Sequence, residues 1–128
     1  MTTELSMLLF SGLLFFAIII VQASLAVSQN GLPAQGGSRD NLPEPTLLRK
    51  RFGRLIANFQ ENLLLFAIVV GVAHMAGVNN DTTALGASIF FYARIGHAIV
   101  YAFGWPWIRP LVWFVSVVGI FMIVSQLI

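Results

Sequence analysis

Hydrophobic positions in this chain fall into four long, nearly unbroken runs separated by short polar stretches. The runs cover about Leu5 to Val27, Arg54 to Gly77, Thr83 to Phe103 and Trp107 to Ile128. Each is close to or beyond the roughly 20 helical residues needed to cross a hydrocarbon core about 30 Å thick. None alternates with period two. Lipid admits only helices or closed barrels, because every backbone N–H and C=O must find a partner within the protein. The pattern predicts an all-α membrane protein, a four-transmembrane-helix bundle forming a single domain over residues 1–128.

The polar stretches read as connections. Residues 28–53 form a long loop that is rich in breakers at its start (Gly31, Pro33, Gly36, Gly37, Pro43, Pro45) and basic at its end. Val78 to Thr82 reads as a short turn, with Asp81 or Thr82 as the helix N-cap. Gly104 to Pro110 is a tight turn whose Trp105 and Trp107 suit a headgroup belt. Glu4 is the only charged residue ahead of the first run, where a signal peptide would carry lysine or arginine, so the first run reads as a retained span. Arg39, Arg49, Lys50, Arg51 and Arg109 all fall in the first and third connections. The positive-inside rule therefore puts those connections in the cytoplasm and both termini outside it.

Composition sharpens the class. The 128 residues are 58% hydrophobic and only 9% charged, against about a quarter charged in soluble domains. Mean hydropathy is +0.86. There is no cysteine, which excludes disulfides, thiolate metal sites and cysteine nucleophiles. His74 and His97 are too few and too far apart in depth for a metal centre. A net charge of +2 does not point to nucleic acid.

Against this apolar background a few polar residues stand out. Arg54, Asn58 and Glu61 head the second run at i, i+4 and i+7, and Arg94, His97 and Tyr101 sit in the third at i, i+3 and i+7. Each spacing keeps its three residues on one helix face. At 1.5 Å per residue, Glu61 lies about 15 Å from Arg51 and Arg94 about 15 Å from Gly104, so the two stripes share a depth, with Arg109 at the rim. Ionisable groups in hydrocarbon cost several kcal/mol without partners and mark functional sites. Cations with one carboxylate, an amide and a phenol suit a polyanionic, zwitterionic ligand from the cytoplasm. An adjoining slot between apolar helices would admit a lipophilic small molecule from the bilayer.

Structural readings stand beside the functional ones. Arg49, Lys50 and Arg51 fit orientation determinants against anionic membrane lipids, and Arg54 can snorkel to the interface. Asn58 and Glu61 can serve as interhelical glue. Arg94 and Glu61 can form a closed ion pair. Tyr101 fits an aromatic belt, and His74 an interfacial position.

The segment Arg54-Leu-Ile-Ala-Asn58-Phe-Gln-Glu61 resembles the R-x-x-x-N-x-x-E signature of the MAPEG family, the membrane-associated proteins of eicosanoid and glutathione metabolism. Arg94-Ile-Gly-His97 through Tyr101 to Arg109 resembles its second signature. Length, four spans and a long first cytoplasmic loop extend the resemblance over the chain. The short length and Trp-Pro-Trp turn are similar to bacterial members, which implies a bacterial inner membrane. The resemblance implies a homotrimer that binds glutathione as co-substrate between subunits, through Arg54, Asn58, Glu61, Arg94, His97 and Tyr101. It implies catalytic roles for Tyr101 and Arg109, the latter as thiolate stabiliser, since a nearby cation lowers a thiol's pKa. Pro110 stands where one synthase branch has a serine, so that hydroxyl's help is absent.

Three functions compete on these residues. The first is a glutathione-dependent transferase or peroxidase acting on a lipophilic electrophile or lipid hydroperoxide. The second is a non-catalytic lipid-binding or scaffold protein of the same fold. The third is an ion pathway through Glu61, Arg94 and His97, which an outer half without acidic or polar residues would leave without a route.

Overall fold

The computed structural model describes residues 1–128. Five helices and no strand build it: α1 (Thr3–Asn30), α2 (Leu32–Gly36), α3 (Leu47–Met75), α4 (Asp81–Phe103) and α5 (Ile108–Ser125). Helices α1, α3, α4 and α5 are long and apolar enough to cross a membrane. The predicted four-helix membrane bundle is therefore the observed fold.

Helices α1, α3 and α4 begin before their apolar runs. Helix α3 begins at Leu47 rather than Arg54, so the basic stretch expected in the loop is helical. The Thr46 hydroxyl accepts from the Arg49 N–H at 3.4 Å and caps it, and leucine, lysine and arginine are good helix formers whatever their hydropathy. Helix α1 likewise continues to Asn30, and α2 occupies part of the expected loop. The N-cap of α4 is Asn80, not Asp81 or Thr82. Its side chain accepts from the Thr83 N–H at 3.0 Å while the Thr83 hydroxyl accepts from the Asn80 N–H at 2.9 Å, a reciprocal pair that satisfies two otherwise orphaned donors. Arg109 and Pro110 belong to the first turn of α5, where proline's missing N–H removes no helical bond.

Helices α3 and α4 each pack against the three other spans, while α1 and α5 do not meet. Between α3 and α4 the Phe66 and Phe90 rings stack at 3.9 Å, joined in the core by Val70, Ala73, Ala87, Ile120 and Ile123. A second cluster joins α1 to α3 through Ile18, Leu55 and Phe59, with Phe15 stacked on Phe59 at 5.4 Å. Helices α4 and α5 approach backbone to backbone at Gly86 and Gly119. A Cβ on Gly119 would lie 2.5 Å from the Gly86 carbonyl oxygen, so this crossing requires glycine.

The bundle's two ends differ. One carries the α3 N-terminus, the Gly104–Trp107 turn and the arginines, and is here called the basic end. At the opposite end Glu4 is buried, and its carboxylate accepts from the Thr83 hydroxyl at 2.7 Å. Asn80 Nδ2 donates to Gln126 Oε1 at 3.1 Å, tying the α4 cap to the C-terminal end of α5. The expectation that this half lacks acidic and polar residues is thus corrected. Glu4 is tolerated because it sits in the first turn of α1 and against the first turn of α4, at the positive ends of two helix dipoles. The Phe66–Phe90 layer, not a lack of polar groups, separates this cluster from Arg94.

Candidate functional site

The site follows from how α3 and α4 present their faces. Helix α3 buries Leu55, Phe59, Asn62 and Phe66, the i, i+3/i+4 stripe that faces the bundle. Asn58 lies at the edge of this stripe and is half-buried. Helix α4 buries Phe90, Arg94, His97 and Val100. Arg94 is completely buried. Its Nη2 donates to Asn58 Oδ1 at 2.9 Å, and its guanidinium carbon lies 4.7 Å from the centre of the Phe59 ring. Nε and Nη1 of Arg94 are buried without a hydrogen-bond partner. The protein's single ion pair is Lys50–Glu44, on the surface.

From Arg94 the polar groups climb α4 toward the basic end. His97 is buried with its Nδ1 unpartnered, and its ring lies 5.0 Å from that of Tyr101. Tyr101 in turn carries the Arg109 guanidinium over its ring, at 5.1 Å. Two cavities meet along this ladder. One, of about 440 Å³, opens among Arg51, Arg54, Tyr101, Trp105, Trp107 and Arg109. The other, of about 310 Å³, lies between Asn58, His97, Tyr101, Arg109 and Trp113. They share Tyr101, Arg109 and Pro110, and no carboxylate lines either.

Of the residues singled out in the sequence, Asn58, Arg94, His97, Tyr101 and Arg109 come together, and Arg54 joins them across the larger cavity. Glu61 does not. It is exposed on α3 and makes no ion pair with Arg94, so the closed pair considered above is not formed. The reason is angular: Asn62 takes the inward position and donates to the Asn58 carbonyl at 2.9 Å, and a neighbour on a helix is turned about 100° away.

Arg51 and Trp113 were missed as lining residues. Arg51 precedes Arg54 by three positions and Trp113 follows Arg109 by four, spacings that share a helix face. Arg51 is seated on Gly104, which ends α4 at φ 70°. A Cβ there would lie 2.6 Å from the Arg51 guanidinium carbon, so glycine serves both the left-handed turn and the approach of the cation.

The arrangement is chemically one-sided. A buried cation without a counter-charge costs several kcal/mol, and Arg94 retains free donors in that condition. Three more arginines and a phenol line the adjoining space. The chemistry is that of an anion site with an apolar tryptophan wall.

Comparison with protein families matches residues 5–128 to the MAPEG family. No curated protein and no solved structure matches the chain. A match over nearly the full length, on four helices of spanning length, makes this integral membrane protein a member of the MAPEG family.

Proposed function

We propose that the protein is a glutathione-dependent transferase or peroxidase that acts on a lipophilic electrophile or lipid hydroperoxide at the cytoplasmic leaflet. The observation that carries this reading is the joined pair of cavities, lined by Arg51, Arg54 and Arg109 without a carboxylate and backed by the unpaired Arg94. Glutathione carries two carboxylates against one ammonium group, and family membership associates this chain with its metabolism. Bound glutathione supplies the thiolate nucleophile for transfer; in the peroxidase case its sulfur takes the terminal oxygen of the hydroperoxide, releasing the alcohol, and a second glutathione then displaces that oxygen as water to leave the disulfide.

The chain's residues bind, orient and polarise. Arg51 and Arg54 pair with carboxylates at the mouth. Asn58, fixed by Arg94, offers its remaining amide groups to a peptide backbone, and His97 presents a ring nitrogen. Arg109, held over Tyr101, stabilises negative charge on sulfur while the Tyr101 hydroxyl donates to it. Trp113 walls the smaller cavity and presents the apolar co-substrate arriving from the bilayer. Glu61, exposed on α3, receives the ligand's ammonium where a second copy of the chain closes the site, as a homotrimer requires. Clustering of arginines at one end favours a cytoplasmic mouth and both termini outside, in a bacterial inner membrane.

The alternative is a lipid-binding scaffold without catalysis, favoured by the apolar groove along Phe114, Val118 and Phe121 on α5. Titrating glutathione into detergent-purified protein and following ultraviolet thiolate absorbance separates the two. A thiolate signal that Arg109→Ala removes supports the enzyme. Binding without a thiolate supports the scaffold, and no binding rejects both the ligand and the site.

A further inference from the structure

A second recess lies on the other side of the basic end, between α1, α2 and the start of α3. Its volume is about 490 Å³. Ile19, Ala23, Ala26 and Val27 of α1 form an apolar floor, and Leu32 of α2 stands opposite. Arg39 and Arg49 line its rim, with Gln22 and Gln35 between. No acidic residue lines it, and neither arginine is ion-paired.

Its polar groups are incompletely used. Arg49 gives Nη1 to Gln29 Oε1 at 2.7 Å, but its Nε is buried without a partner. Gln22 gives Nε2 to the Arg49 carbonyl at 3.3 Å and leaves Oε1 buried and unpaired. Arg39 is the one non-glycine residue with positive φ, at 65°, and its Nε donates to the Gln35 carbonyl at 2.7 Å. A left-handed arginine costs roughly 1 kcal/mol, and Arg39 adopts it on the lining of the same recess as Arg49.

We infer that this recess binds one anionic diacyl phospholipid, its phosphate between Arg39 and Arg49 and an acyl chain along Ile19, Ala23 and Val27. The position dictates the ligand class. The floor belongs to a spanning helix, and the rim to the connection after it (Arg39) and the first turn of α3 (Arg49), so the recess sits where the apolar span gives way to basic residues. Two unpaired cations over an apolar wall match an amphiphile with net negative charge, and basic pockets at membrane-spanning helices hold such headgroups. The site is lined by other residues than the cavities at Tyr101 and does not depend on the glutathione reading.

Native mass spectrometry of the delipidated full-length protein tests it, with phosphatidylglycerol and phosphatidylcholine of the same chain length as probes. One phosphatidylglycerol is expected to persist per chain, while phosphatidylcholine leaves. Arg39→Asn, chosen because asparagine accepts the left-handed conformation, should weaken retention about fivefold, and its combination with Arg49→Gln about 30-fold. Ala23→Trp, which fills the floor and leaves both arginines, should abolish retention. Equal retention of the two lipids means annular lipid only and overturns the proposal. So does phosphatidylglycerol binding that survives Arg39→Asn and Ala23→Trp, or its displacement by an equal concentration of glycerol phosphate, which would mark a simple anion site indifferent to acyl chains.

Discussion

The two buried charges of this protein have opposite surroundings. Glu4 lies at the first turns of two helices, accepts the Thr83 hydroxyl at 2.7 Å and is bound into a network that reaches Asn80 and Gln126. Arg94 has one hydrogen bond, to Asn58, and two buried nitrogens with nothing to receive them. A satisfied buried charge fixes a structure. An unsatisfied one keeps interaction energy in reserve for something that arrives later. The first reads as a clamp between α1 and α4, the second as part of a binding site.

The largest effect is expected at the clamp. Thr83→Val removes the donor to Glu4 and half of the α4 capping box together. Leaving a buried carboxylate without its donor and losing a cap should destabilise the protein by about 3 kcal/mol, read as a lower unfolding midpoint in detergent. Glutathione affinity of the folded fraction should stay unchanged. A normal midpoint would show that Glu4 is not held by this contact, and the comparison would collapse.

At Arg94 the signs reverse. Arg94→Leu removes an uncompensated charge and keeps an apolar side chain beside Phe59, so stability should hold or rise. Glutathione affinity should fall at least tenfold, the scale of one charge-assisted hydrogen bond. Isothermal titration against a thermal melt of the same sample reads both quantities. A strong loss of stability with intact affinity would make Arg94 a structural residue and remove it from the proposed site.

The smaller Glu4→Gln change sharpens the clamp. Glutamine keeps an acceptor for Thr83 but gives up the charge at the two helix N-termini, which should cost about 1 kcal/mol. Comparing it with Thr83→Val by the same unfolding midpoint divides the clamp into its hydrogen-bond and dipole parts.

How much of this was legible in the sequence follows from which interactions are local. Four runs of apolar residues dictate four spanning helices, and a face spacing of i, i+3 and i+7 correctly gathers Arg94, His97 and Tyr101. Helix ends were misjudged because hydropathy marks what lipid covers, not where backbone bonding stops. Leu47 to Gly53 is helical because its leucines, arginines and lysine favour helix and Thr46 caps it. Spacing and the family signature place Glu61 with Asn58, but within one chain the rotation of α3 is set by Leu55, Phe59 and Asn62 meeting the rest of the bundle, which leaves Glu61 exposed. That is tertiary information. Nothing local marks Glu4 as a clamp, because its partner Thr83 lies 79 residues away. Arg51 was given to the headgroups although its spacing from Arg54 already placed it on the same face.

The smallest expected effect belongs to a third kind of charge, exposed and paired. Lys50 Nζ lies 2.6 Å from the Glu44 carboxylate in the connection before α3. The hydrogen bond from Lys50, aided by its charge, holds the Glu44 carboxyl below its ordinary value of 4.5. A carboxyl depressed in the folded state adds stability above its unfolded pKa and loses it as pH falls through the folded one. Any contribution therefore exists at neutral pH and vanishes in acid. Exposed ion pairs contribute little, because water screens them and two long side chains must be held in place. Lys50→Ala should return the Glu44 carboxyl toward 4.5 in a side-chain carbon NMR titration, while the unfolding midpoint at neutral pH and glutathione affinity stay where they were. A clear drop in either would mean that this connection is coupled to the bundle. The distinction between charges that clamp, charges that wait for a ligand and charges that merely face water would then have to be redrawn at the basic end.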